Sequence, residues 1–295
     1  MNGLTAVSSG SITVGVSVSE PADEELVRLG LGVLHIRHAF IETVRHILAA
    51  GWSIAYGGDF RQQGYTEALV DLVRTYDRKE LSGPDRVAAY LAWPIWTGLT
   101  DRDWAELANV VTTVRVPAAE GAPESLPPFP DRDGSQLLCN SVSLTAMRRE
   151  MTARVGARVV LGGRVAGQQG LYPGVLEEAV LALDAGVPLF VAGGFGGCAR
   201  VISDAIHGTW PAELSIEYQR LHTPRYSELV EAAQMAGAGP SYVAICTRIA
   251  SAGMAGLNNR LNAEENERLF ATADVDEVVA LVLRGLRRLV GDSSR

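Results

Sequence analysis

Lysine is nearly missing from this chain: 26 basic residues include a single lysine, Lys79. The arginines are scattered, and acidic residues outnumber them, giving a net charge of −8 and an isoelectric point near 5.2. Nucleic acid and anionic membrane surfaces both require a concentrated basic field, so neither is an expected partner. Cysteine is scarce too. Cys139, Cys198 and Cys246 are odd in number, far apart and outside any CxxC or Cys/His spacing, which argues against a disulfide framework and a zinc site and points to a reducing cytoplasm. His35, His38, His46, His207 and His222 show no ligand spacing apart from the helical neighbours His35 and His38. The opening residues lack a basic start followed by an apolar helix, and no apolar run approaches a membrane span, so the expectation is a soluble, unexported protein. Neither G-x-G-x-x-G after the first strand nor GxxxxGK[ST] is found, which disfavours standard dinucleotide and P-loop folds.

What is present is an alternation. With 295 residues, 47% of them hydrophobic, the chain can bury one large core or two moderate ones, and one large domain with appendages is expected. SITVGVSV (11–18) reads as a buried strand. Residues 33–50 place Leu34, Phe40, Val44, Ile47 and Leu48 at helical spacing. Strand 52–57, helix 65–77, strand 87–95, a short helix near 101–109 and strand 110–116 follow. Five prolines between Pro117 and Gly134 predict an irregular excursion. Helix then runs from about Gln136 to Val155, followed by strand 157–161, helix 173–185, strand 187–192 and helix 198–206. This pattern predicts an α/β fold, a Rossmann-like parallel sheet with helices on both faces. Beyond Thr209 the alternation stops, and the remainder predicts a C-terminal helical extension with an amphipathic helix at 274–290 capped by Asp274. Its Val278, Leu281, Leu283 and Leu286 either cover the domain or form a dimer seam.

The strand ends share a composition. Ser17-Val18-Ser19-Glu20, Gly57-Gly58-Asp59, Gly162-Gly163-Arg164 and Gly193-Gly194-Phe195-Gly196-Gly197 each stand at the end of a strand. Glycine pairs serve tight strand-to-helix turns, and they also expose backbone amides to an anion. Taken together, the three pairs favour a phosphate floor beyond the carboxyl ends of the strands, where open parallel sheets bind ligands.

The order of YGG (Tyr56 to Gly58), MRREM (Met147 to Met151), LGG (Leu161 to Gly163) and PGVLEE (Pro173 to Glu178) resembles the lysine-decarboxylase-like, cytokinin-activating nucleoside 5'-monophosphate phosphoribohydrolase family. It also resembles the wider SLOG nucleotide-binding superfamily. The resemblance covers roughly residues 11–208, which it implies to be a SLOG-like Rossmann-type nucleotide-binding domain, with 209–295 a helical extension packed on it. Carried over, Arg148 matches the catalytic arginine, Gly174 the glycine at a helix start and Glu178 the catalytic glutamate. Arg149 replaces a lysine, Val175 replaces a threonine, and the insertion Arg164 to Tyr172 splits the glycine loop. The GGFGG stretch and the long C-terminal region are closer to SLOG members that sense nucleotides in bacterial conflict systems.

Cleaving an N-glycosidic bond builds positive charge at the ribose C1', which a carboxylate stabilises while a guanidinium grips phosphate. The resemblance assigns those roles to Glu178 and Arg148. The bland alternatives are helix-dipole stabilisation for Glu177 and Glu178 and a solvated helix face for Arg148. The neighbouring Glu177 lies about 100° away around the helix, so one of the two is expected to face the pocket. The expected ligand-binding set is Ser19, Gly57, Gly58, Asp59, Gly163, Arg164, Gly174, Gly194, Phe195 and Gly196, with Asp59 and Glu20 either on ribose hydroxyls or capping helices. No cofactor or metal is required. The expected ligand is a nucleotide or nucleotide-sugar phosphate, hydrolysed at its N-glycosidic bond. The alternative is a non-catalytic sensor of an ADP-ribose-like signal, and a homodimer or higher homo-oligomer is expected for either. Cys198, at a helix start without a resolving partner, reads as small and buried.

Overall fold

The strands follow from runs of β-branched residues whose alternate positions are apolar on both sides, as a sheet covered on both faces demands. The computed structural model describes residues 11–57, 64–75, 86–108, 110–118, 122–123, 125–127 and 131–292. Its sheet holds β1 (Thr13–Ser19), β2 (Ser53–Gly57), β3 (Val87–Leu91), β4 (Thr112–Arg115), β5 (Ala157–Gly162) and β6 (Leu189–Ala192) in the order β4-β3-β2-β1-β5-β6, every pairing parallel. The chain winds outward from β1 through β2 to β4, then returns to place β5 on the other side of β1. The switch point therefore lies between β1 and β5, where a doubly wound sheet opens a crevice.

Val14, Val16 and Val18 of β1 join a core with Ile36, Phe40 and Val44 of α2 (Val33–Ala49), while Val160 of β5 belongs to a second core on the opposite face. α1 (Asp23–Arg28), α2, α3 (Tyr65–Thr75) and α5 (Asp101–Leu107) precede the excursion. α6 (Gly134–Thr152), α7 (Gly174–Asp184) and α8 (Gly197–Ile206) supply the second face. α6 starts where a capping box forms: Gln136 N donates to Asp133 Oδ1 at 2.9 Å and Asp133 N to Gln136 Oε1 at 3.0 Å. The excursion before it contains no strand or α-helix among its described residues.

The expected strand 87–95 is shorter than its apolar run suggested. It ends at Leu91, and α4 (Trp93–Trp96) begins after extended Ala92, with Pro94 in the first turn, a position where proline's missing N–H costs nothing.

Helices continue as α9 (Ile216–His222), α10 (Tyr226–Met235), α11 (Tyr242–Ala252), α12 (Ala263–Ala271) and α13 (Val275–Asp292). α12 lies against β6, α10 against α6, and α13 against α2. Asp274 caps α13 by accepting from the Asp276 and Glu277 amides at 2.9 and 3.2 Å. Val278, Leu281 and Leu286 are buried in the α2-side core, so they cover the domain. At roughly 1.5–3 kcal/mol per fully buried side chain, that face holds α13 down.

Candidate functional site

Arginine inside a buried strand is the local anomaly from which the site is built. Arg158 lies in β5, beside Gly15 of β1 in the sheet register, and is fully buried. A Cβ at residue 15 would stand 3.4 Å from the Arg158 guanidinium carbon, so the glycine leaves the room that the charge occupies. Arg158 Nη1 donates to Ser17 Oγ and to Glu178 Oε2, each at 2.8 Å, and Nη2 donates to Thr152 Oγ1 at 3.0 Å. Ser17 Oγ also donates to Glu178 Oε2. Burial pushes the Arg158 pKa down; the Glu178 charge opposes that shift and the Arg148 charge adds to it. A buried ion of this kind is tolerable only with its counter-ion in place.

Glu178 comes from the second turn of α7 and rises between β1 and α6. Arg148, on α6, approaches Glu178 Oε1 with its Nε at 3.7 Å and donates from Nη1 to Glu177 Oε2. Thr145 donates its hydroxyl to the other Glu177 oxygen. Arg148 Nε and Arg158 Nε have no hydrogen-bond acceptor among the described residues. A Cβ at Gly174 would lie 2.7 Å from Arg148 Nη2, so the guanidinium lies across the first residue of α7. Both glutamates thus engage Arg148, while Glu178 lines the open space above the strands.

That space is a cleft of about 550 Å³ over the carboxyl ends of β1, β2 and β5. Its wall contains Ser17, Ser19, Gly57, Arg148, Arg164, Gly174 and Glu178. A Cβ at Gly57 would lie 3.6 Å from Glu178 Oε1, so the glycine keeps the approach to that oxygen open. Arg164 is exposed at the rim with no ion-pair partner among the described residues, and its N–H donates to Ser19 Oγ at 2.9 Å. A groove of about 590 Å³ elsewhere runs along α13, where Asp276, Arg284, Arg287 and Arg288 are all solvent-exposed. The cleft at the switch point, unlike that groove, combines buried charges with converging strand ends.

Gly163, Gly194, Phe195 and Gly196 are not in the wall of this cleft. Gly58 and Asp59 fall outside the described residues. Gly163, at φ +105°, would drive a Cβ to 2.7 Å from Cys198 and 2.9 Å from Val175, so its lack of a side chain serves packing. Gly194 lies under the chain after α12, where a Cβ would stand 2.1 Å from the Thr272 carbonyl oxygen, and Phe195 is fully buried. Gly196 precedes α8, whose first amide, Gly197 N–H, donates to Glu25 Oε1 at 3.0 Å. Arg200 Nε donates to the same oxygen at 3.0 Å. A carboxylate of the protein itself therefore occupies the N-terminus of α8, the place where the GGFGG loop was expected to meet phosphate. Cys198 is buried, and burial pushes its thiol up to about 12.

Sequence reasoning missed Arg158, Ser17 and Thr145. A signal existed for the first: a charged residue inside ARVVL, in a strand otherwise apolar on both faces, needs a buried partner. Asn140, Gln168 and Gln169, which also line the cleft, carried no such signal.

Among the described residues no group of three or more His, Cys, Asp or Glu could hold a metal ion, and no helix is long and apolar enough to cross a membrane. No curated protein matches the chain. The model of a family described as SLOG cluster2 matches residues 9–269, most of the chain. On that match, the chain belongs to the SLOG cluster2 family.

Proposed function

We propose that the cleft binds a nucleotide or nucleotide-sugar phosphate and that the protein hydrolyses its N-glycosidic bond. Membership of a SLOG family supports a nucleotide-related role. The observation that carries the reading is the Glu178 carboxylate, held from beneath by Arg158 and Ser17, with Oε1 facing the space that Gly57 keeps clear. A carboxylate fixed in advance stabilises a cation developing at C1' without reorganising when the charge appears. The C1'–N bond breaks with its electron pair passing to the base nitrogen, water supplies the hydroxyl to C1', and the released proton ends on the base. Arg148 positions the two glutamates. Phosphate is assigned to Arg164 and the first turn of α7, whose N-cap residue Pro173 supplies no side-chain cap.

A second reading rests on one observation: each Glu178 oxygen already faces a guanidinium, Arg158 on Oε2 and Arg148 on Oε1. Such a carboxylate is equally suited to holding ribose hydroxyls, as in a sensor that keeps its nucleotide intact. Incubation with nucleoside monophosphates, NAD and ADP-ribose, followed by chromatography, separates the two. Free base released by the native protein, lost in Glu178→Gln while binding persists, supports hydrolysis. Thermal stabilisation without product supports the sensor. No release and no stabilisation by any of them would sink both.

A further inference from the structure

The insertion Arg164 to Tyr172 supplies Arg164, Gly167, Gln168 and Gln169 to the cleft wall, yet much of its anchoring comes from the C-terminal helices. Gln219 of α9 is fully buried. Its Nε2 donates to Val165 O at 2.8 Å and Glu213 O at 2.9 Å, and its Oε1 accepts from Gln168 Nε2 at 2.8 Å and Thr223 Oγ1 at 3.1 Å. Thr223, also buried, accepts the Gly167 N–H at 2.8 Å. Farther along, Tyr226 donates its hydroxyl to Leu171 O at 2.7 Å, and Ser241 N–H donates to Tyr172 Oη at 2.8 Å. On the sheet side the segment is held at its ends and at Gln169, through Ser19, Ser141 and Asn140. Between Val165 and Gln168 its backbone and side-chain bonds go to α9 and the residue that ends it.

We infer that Gln219 and Thr223 are positioning residues for phosphate recognition: by fixing Val165 to Gln168 they set where the Arg164 guanidinium stands at the cleft mouth. Buried, fully satisfied carboxamide and hydroxyl groups hold one geometry, because shifting the segment would leave polar atoms unpaired away from water. Helices beyond Thr209 thereby become part of ligand recognition. This inference rests on the nucleotide reading and deepens it.

The test uses the full chain and calorimetric titration with AMP and with adenosine, which lacks the phosphate. Thr223→Val keeps the shape and removes the acceptor of the Gly167 N–H; Thr223→Ser restores it. The expected result is about tenfold weaker AMP binding for Thr223→Val, the scale of one lost hydrogen bond to a buried group. Adenosine binding changes less than about twofold, and Thr223→Ser lies within about twofold of the native protein for both ligands. In an Arg164→Ala background, Thr223→Val should add no further loss, since the cation it positions is gone. Equal weakening of AMP and adenosine, or additive losses in the double variant, would mean a general structural role and overturn the inference. Arg164→Ala weakening AMP while Thr223→Val does not would overturn it and spare the nucleotide reading. A native protein that binds neither ligand would overturn both.

Discussion

Replacing Glu178 with glutamine removes the counter-charge from an arginine that has no exposure to water. At 2.8 Å and an effective dielectric constant of about 20, the attraction lost is about 6 kcal/mol. Measured losses on breaking buried pairs are about 3–5 kcal/mol, because the site relaxes and water enters. Glutamine keeps a carbonyl acceptor for Arg158 and Ser17, which places Glu178→Gln at the lower end, about 3 kcal/mol. For a chain of this size that corresponds to a fall of about 6 °C in midpoint temperature. Arg158→Met alone costs less, about 2 kcal/mol, since Glu178 retains Arg148 and a little water. The informative variant is the double one. With neither charge present no ion is left stranded, so Arg158→Met/Glu178→Gln should be about 2 kcal/mol more stable than the sum of the single losses requires. Guanidinium chloride unfolding followed by tryptophan fluorescence gives the free energies of all four proteins, and thermal unfolding followed by circular dichroism gives their midpoint temperatures. Additivity within about 0.5 kcal/mol, or a Glu178→Gln midpoint within about 1 °C of the native one, would refute the buried-pair argument. The double variant should be about as stable as Glu178→Gln alone, having lost about 3 kcal/mol where additivity requires about 5, and should still release no base.

Two further outcomes test how the C-terminal helices are docked. Gly194→Ala places a methyl 2.1 Å from the Thr272 carbonyl oxygen and should cost about 1–3 kcal/mol, with earlier proteolytic cleavage after α12; an unchanged digestion pattern would refute the close packing. Glu265 of α12 accepts from Arg288 and Arg284 of α13, and the bond from Arg288 leads the causes that hold its carboxyl down at about 2 against an ordinary 4.5. A depressed folded pKa stabilises above the unfolded value and is lost on acidification, here between about pH 4.5 and 2. Glu265→Gln should therefore lower stability at pH 7 and flatten the acid limb of the stability curve, and an acid limb as steep as the native one would contradict this.

The order of elements was legible because strand and helix periodicities are carried by near neighbours: Val14, Val16 and Val18 on one face of β1, and Phe40, Val44 and Ile47 on one stripe of α2. The helix cap at Asp274 belongs to the same class of local information. Where local signals competed, the strand expected to reach residue 95 gave way to a helix started by Trp93-Pro94. Ser19, Gly57, Arg148, Arg164, Gly174 and Glu178 do share one cleft, whereas Gly194 lies beneath the chain that follows α12, Phe195 is fully buried and Gly196 lies against Glu25 and Leu29.

What the sequence determined by itself was the parallel α/β layout, the helical remainder, and the residue types able to carry charge at strand ends. Which of those residues meet was decided by strand order and by what packs over each end. β1 and β5 are neighbours although Ser17 and Arg158 are 141 positions apart, and that adjacency places Ser17 beside the buried Arg158–Glu178 ion pair. β6 ends under α12, and Glu25 fills the start of α8, so an amide-rich loop serves the protein's own packing. The physical reason is range: periodicity and capping act over one or two turns, whereas desolvation and ion pairing depend on which distant segments exclude water from one another.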